Sequence, residues 1–155
     1  MTIRTESRIA VARGVDDVWE YMCDVGRWPE WAPTMLECRV RGGGVLRPGA
    51  WVEQRARDFG WNHSRSEQVT TVEAPRSMAF VGTMGTSVAR WGMEFGPAGD
   101  GYTEAMMWVE VDPARFMRAI PGRALRAQIQ RVSDIEMAGI KAAVESGAQA
   151  GAWSR

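Results

Sequence analysis

The chain has 155 residues, with 19 basic and 19 acidic side chains and so no formal net charge, a length that suits one domain with a full apolar core. The balance argues against a general nucleic-acid binder, which needs a basic excess to neutralise phosphates, and against a protein held electrostatically on a membrane. No apolar run is long enough to span a bilayer, no apolar leader opens the chain, and the two cysteines, Cys23 and Cys38, read as reduced thiols of a cytoplasmic protein.

Arg4 to Val11 alternates as a strand, with Ile9 and Val11 on one face and Arg8 on the other. Arg13-Gly14 breaks it, and Asp16 sits at a plausible helix start. Val18, Trp19, Met22 and Cys23 follow at helical spacing until Asp24 and Gly26. A second short helical piece covers Trp28 to Trp31, and Pro33 stops it.

Met35 to Val111 is β-rich. Strands are predicted over Met35 to Arg41, Trp51 to Phe59, Trp61 to Glu73, Ser77 to Gly82, Val88 to Phe95 and Tyr102 to Val111. Hairpin-length connections imply an antiparallel meander. Beyond Asp112-Pro113 the period changes. Leu125, Ile129, Val132, Glu136, Ile140 and Ala143 recur at three- and four-residue steps, predicting one long helix from about Gly122 to Glu145. Gly147 to Arg155 reads as a tail that frays, inside a single domain spanning residues 1–155.

The expectation is an α+β architecture: a curved antiparallel sheet of about seven strands wrapped around a long C-terminal helix, with two short helices after the first strand. One helix across a strongly curved sheet touches it closely at one end and loosely at the other, and the loose end leaves a cavity. Eight tryptophans and ten methionines suit the wall of such a cavity, as they also suit an ordinary core.

The stretch Val15-Asp16-Asp17-Val18-Trp19-Glu20-Tyr21-Met22-Cys23-Asp24-Val25-Gly26-Arg27-Trp28-Pro29-Glu30-Trp31 resembles the start of SRPBCC (START-like) proteins, in particular the polyketide cyclase/dehydrase-like group and its coenzyme-Q-binding relatives. Arg47-Pro48-Gly49-Ala50, Val72 to Phe80, Gly99-Asp100-Gly101-Tyr102-Thr103 and Ile140 to Glu145 are similar to later motifs of that superfamily, in the same order. The resemblance covers about Thr5 to Glu145. It implies the helix-grip fold and a cavity for a small hydrophobic molecule such as a lipid, quinone or polyketide. It does not choose between a carrier and an aromatase/cyclase-type enzyme acting on a polyketide, since one fold hosts many functions.

Candidate cavity residues are Trp28, Trp31, Trp51, Trp91, Met93, Phe95, Met106, Trp108, Leu125 and Ile129. Phe116 and Met117, with Ile120, resemble the apolar loop that gates such cavities. Strand alternation puts Trp91, Met93 and Phe95 on one face with no charge among them. It groups Trp51 with Glu53, Arg55, Arg57 and Phe59, and Met106 and Trp108 with Glu104 and Glu110. Those mixed faces fit either a cavity with polar anchors or a solvated outer surface. Asp24, Trp28 and Trp31 read either as a cavity rim or as a cap and wedge, with Asp24 accepting backbone N–H bonds.

Catalysis of the cyclase type would draw on Arg57, Arg65 or Arg90 to stabilise an enolate, with His63, the only histidine, as base. His63 reads equally as a solvated strand residue. Tyrosine is scarce, only Tyr21 and Tyr102. One histidine and no Cys/His ligand spacing predict no metal site, and no dinucleotide loop or nucleophile elbow is present, so no cofactor is expected. The expected partner is a small hydrophobic molecule, held by a monomer or homodimer.

Overall fold

The computed structural model describes residues 1–58, 60–84 and 86–153. Phe59, grouped above with Trp51, and the last two residues of the predicted tail lie outside the described residues. Seven strands, β1 (Ile3–Val11), β2 (Met35–Val40), β3 (Trp51–Asp58), β4 (Trp61–Glu73), β5 (Ser77–Met84), β6 (Ser87–Pro97) and β7 (Thr103–Asp112), form one antiparallel sheet in the order β1-β7-β6-β5-β4-β3-β2. Helix α1 (Val15–Cys23) and a 3-10 helix (Val25–Glu30) follow β1, a second 3-10 helix (Arg115–Ala119) follows β7, and α2 (Gly122–Trp153) closes the chain. No helix among the described residues is long and apolar enough to cross a membrane.

Register sorts the residues into an inner and an outer face, because directly paired residues point the same way. Thr5, Val109, Trp91, Phe80 and Val69 form one inner row across the sheet. Ser7, Met107, Met93, Met78 and Val72 form the next. Val72 regains the inner face because a bulge between Val69 and Thr71 inserts an extra residue. These rows supply most of the core, with Met78, Phe80, Met93 and Met107 almost wholly buried.

The two short helices close one end. Asp16 and Asp17 lie in the first turn of α1, where negative charge suits the helix dipole. Asp24 does not play the capping part expected of it, since its side chain makes no bond to the following 3-10 helix. The tie is Trp28, whose indole Nε1–H donates to the Met22 carbonyl at 2.9 Å. Trp28 is fully buried, edge-on to Phe80 and Trp91.

Helix α2 runs to Trp153, past the Glu145 boundary that its glycines suggested. Alanines at 142, 143, 148, 150 and 152 are strong helix formers that carry it through Gly147 and Gly151. Its main packing partner is β1, the edge strand. Arg126, Gln130 and Lys141 donate to the carbonyls of Arg4, Glu6 and Ala10, at 2.7, 2.9 and 2.8 Å. The helix thus satisfies edge carbonyls that would otherwise lack a ladder partner. Its buried side is Leu125, Ser133, Met137, Ile140 and Val144. Val132, expected to face the sheet, is 44% exposed. Ser133 takes the inward place, its hydroxyl bonded to the Ile129 carbonyl at 3.1 Å.

Candidate functional site

A helix bound along one edge of a curved sheet leaves the inner faces of the far strands to be covered by side chains alone. On β3 those inward residues are Val52, Gln54 and Ala56, and on β4 they include Arg65, Glu67 and Val69. The polar ones form a chain. Arg65 Nε donates to Gln54 Oε1 at 2.6 Å, Gln54 Nε2 donates to Glu67 Oε2 at 3.0 Å, and Trp91 Nε1 donates to the same oxygen at 3.0 Å. Gly82 sits opposite Glu67, and a Cβ there would lie 2.8 Å from Glu67 Cγ, so the missing side chain makes room for the carboxylate.

Glu136 enters from α2. Burial pushes its carboxyl up to about 7, the Arg65 charge pulls it down and the Glu67 carboxylate pushes it up. Burial likewise raises the Glu67 carboxyl, against the pull of the Trp91 N–H, the Arg65 charge and the Gln54 amide. Among the described residues Glu136 has no hydrogen-bond partner, and Arg65 bonds only through Nε. The unpaired oxygens of Glu67 and Glu136 are not sealed off, for among the described residues the sealed polar atoms without a partner are Thr5 Oγ1 and the Trp31 indole nitrogen. Arg65, Glu67, Trp91 and Glu136 are all half-buried. They are deep enough to be desolvated and still keep accessible surface.

An aromatic wall adjoins this polar group. Trp91 stacks on Phe80 with ring centroids 4.4 Å apart, Trp28 meets both edge-on, and Trp31 stands 6.5 Å from Trp91. Met93 and Phe95 continue the inner face of β6 and are buried. Leu125 is buried and Ile129 half-buried on the side of α2 that meets the sheet.

Other candidates lie elsewhere. Trp51 is 38% exposed on the outer face, beneath the Arg41 guanidinium. Trp108 is also on the outer face, covering Gly92 and stacked under Arg4, and Met106 shares that side, opposite Arg8 and Glu94. These residues faced outward because their strands carry charges on the same alternation, and those charges pair across the outer surface: Arg4 with Glu110, Arg8 with Glu104, Arg41 with Glu53. Phe116 is 72% exposed on the second 3-10 helix, whose Met117 sulfur accepts a bond from the Ser87 hydroxyl at 3.1 Å.

Of the catalytic candidates, Arg65 alone joins the interior group. Arg57 is exposed on the outer face and Arg90 pairs there with Asp112 at 2.9 Å. His63 is exposed near the end of the β3–β4 hairpin, its Nε2 2.5 Å from Asp58. Tyr21 donates to Glu30 at 2.9 Å and Tyr102 is largely exposed, so neither reaches the interior group. Cys23 and Cys38 are free thiols that burial raises to about 11 and about 12, values that leave them un-ionised and poorly nucleophilic. Among the described residues no three His, Cys, Asp or Glu side chains gather as a metal ion would require. Two open grooves flank α2, one along Ala127, Arg131 and Ile135 and one between Arg27 and Gly147, and neither contains Arg65, Glu67 or Glu136.

Glu67 and Glu136 are the residues that sequence reasoning passed over. Glu136 was visible as an acid within the apolar stripe of α2. Glu67 gave no such signal, because β4 is polar on both alternations between Asn62 and Gln68.

Comparison with known proteins gives the same architecture. A START superfamily protein from Mycobacterium smegmatis superposes with a TM-score of 0.75 at 14% identity, over 93% of this chain and 98% of that one. A protein of unknown function from Staphylococcus aureus gives 0.78 at 10% identity, over 96% and 97%. A protein from Nitrosomonas europaea gives 0.70 at 15% identity, over 94% and 96%. No curated protein matches the chain in sequence. At these identities the structures establish the fold, and the sequence establishes the family, whose model matches residues 2–145. The chain therefore has the fold of the START protein and belongs to the family described as polyketide cyclase / dehydrase and lipid transport.

Proposed function

We propose that the protein binds a small hydrophobic molecule between α2 and the inner face of the sheet, as one START-like domain. The observation that carries this reading is the combination of an aromatic wall, Trp28, Phe80 and Trp91, with polar groups that are desolvated yet retain accessible surface, Arg65, Glu67 and Glu136. Polar side chains so placed support a space between α2 and the sheet, since a mostly apolar hollow with a few polar anchors is the usual form of a small-molecule site. Leu125 and Ile129 line its helix side. Phe116, Met117 and Ile120 stand at its entrance, where exposed apolar side chains move aside for a ligand. Two free thiols, one buried and one half-buried, suit a reducing cytoplasm.

Native mass spectrometry of freshly purified protein, followed by solvent extraction, tests the reading. A co-purifying apolar molecule is expected. A protein that is empty and gains no thermal stability from lipids, quinones or aromatic polyketides overturns it.

One observation favours a second reading, an aromatase/cyclase-type enzyme. Glu136, raised to about 7, is suited to proton transfer at neutral pH, and the Arg65 guanidinium is suited to stabilising an enolate. Turnover of a poly-β-ketone, lost in both Glu136→Gln and Arg65→Met, would select it over simple binding.

A further inference from the structure

The interior group has an unequal charge count. Its single permanent cation is Arg65, with its one bond, from Nε, spent on Gln54. Against it stand two carboxyl groups, Glu67 from β4 and Glu136 from α2. Glu67 is near enough to raise the proton affinity of Glu136, and among the described residues neither carboxyl makes an ion pair with Arg65 within 4.0 Å. The unfilled valences are the Arg65 terminal N–H groups, one oxygen of Glu67 and the carboxyl of Glu136. The neighbouring Trp31, 4% exposed with its ring against Trp91, adds an indole N–H without a partner.

We propose that Glu67 and Glu136, set beside the lone cation Arg65, make this a site for an uncharged apolar molecule that presents a hydroxyl or carbonyl group, and exclude its carboxylate counterpart. The inference rests on the binding reading above and adds the chemistry of the head group. A hydroxyl donates to Glu67 or Glu136 and accepts from Arg65, and a carbonyl accepts from Arg65. Each therefore fills vacant valences without bringing a charge out of water. A carboxylate finds the same guanidinium, but as a third acid beside two that already outnumber it. In a poorly solvated site that repulsion is not screened, and an anion left without a full partner is costly to bury.

Matched probes test this by isothermal titration calorimetry at pH 8: 2-naphthol against 2-naphthoate, and decanol against decanoate. The expected result is that each uncharged member binds at least about tenfold more tightly than its carboxylate. Glu136→Gln, which removes one negative charge at nearly constant volume, narrows that ratio, and Glu67→Gln checks the same point from the sheet. Equal affinity for both members of each pair, or a ratio unmoved in both variants, overturns the head-group inference and leaves the binding reading standing. Failure of every probe to bind the unmodified protein overturns both.

Discussion

The two halves of α2 rest on different chemistry. Towards its C-terminal end, Gly139, Ile140 and Val144 meet the short helices, and a Cβ on Gly139 would stand 2.7 Å from the Trp31 carbonyl oxygen. Backbone lies against backbone there, and the seam is apolar. Around Glu136 the same helix brings a carboxyl within the reach of the Arg65 and Glu67 charges. The first half is a stable seam, and the second holds charges that the fold would be more stable without. Buried polar groups that burden stability in this way gather at functional sites, which is the ground on which the proposed site is put in the polar half.

The largest effect is expected at the seam. Trp28→Ala removes a fully buried ring that touches Phe80, Trp31 and Trp91, together with the indole bond that ties α1 to the 3-10 helix. A loss of about 4 kcal/mol in urea unfolding is predicted. A loss no greater than that of an exposed-residue control would show that the seam is not where stability resides.

The polar half predicts the opposite sign. Glu136 moves from 4.5 when unfolded to about 7 when folded, so the native state holds its proton more tightly. This contribution is greatest below pH 4.5, falls as the pH rises from 4.5 to 7, and above 7 stays at its least favourable value. Glu136→Gln should therefore stabilise the protein at pH 8 by about 2 kcal/mol and flatten the loss between pH 5 and 8. Urea midpoints across that range measure it. A variant less stable than the parent at pH 8 would mean that the carboxylate has a partner in solution.

A smaller effect is expected at Gly82. An added methyl would press on Glu67 Cγ and lie 3.3 Å from the Ser66 carbonyl oxygen, so the Glu67 side chain must swing away from Trp91 and Gln54. Gly82→Ala should cost roughly 1 kcal/mol and shift the tryptophan emission as Trp91 loses its acceptor. Unchanged emission would show that Glu67 accommodates the methyl without leaving its bonds.

The same contrast explains what could be read from the sequence. Strand order, the long helix and the inward set Trp91, Met93 and Phe95 were legible because β6 carries no charge on that alternation. Trp51 and Trp108 misled because a large ring is apolar wherever it lies. Only cross-strand partners reveal that one is covered by Arg41 and the other by Arg4. Glu67 was hidden because its inward direction follows from pairing with Val52 and Gly82, not from any local pattern. The edge position of β1, which draws α2 to one side, depends on which strands pair and is absent from local periodicity as well.

The smallest effects are expected outside both halves, and they test whether the site is confined to the interior. His63 is the natural acid–base residue by type, but it stands exposed beside Asp58 near the hairpin end, away from the aromatic wall. Arg90 is bound to Asp112 on the outer surface, where an exposed ion pair contributes little because water already solvates both partners. His63→Ala and Arg90→Ala should leave the unfolding midpoint and the 2-naphthol affinity within experimental error, while Arg65→Met weakens that affinity severalfold. An equal loss in His63→Ala and Arg65→Met would extend the site along β4 to the hairpin. A loss in Arg90→Ala would have a different meaning, since no side chain on the outer face can touch a ligand beneath α2: the sheet itself would have to flex when it binds.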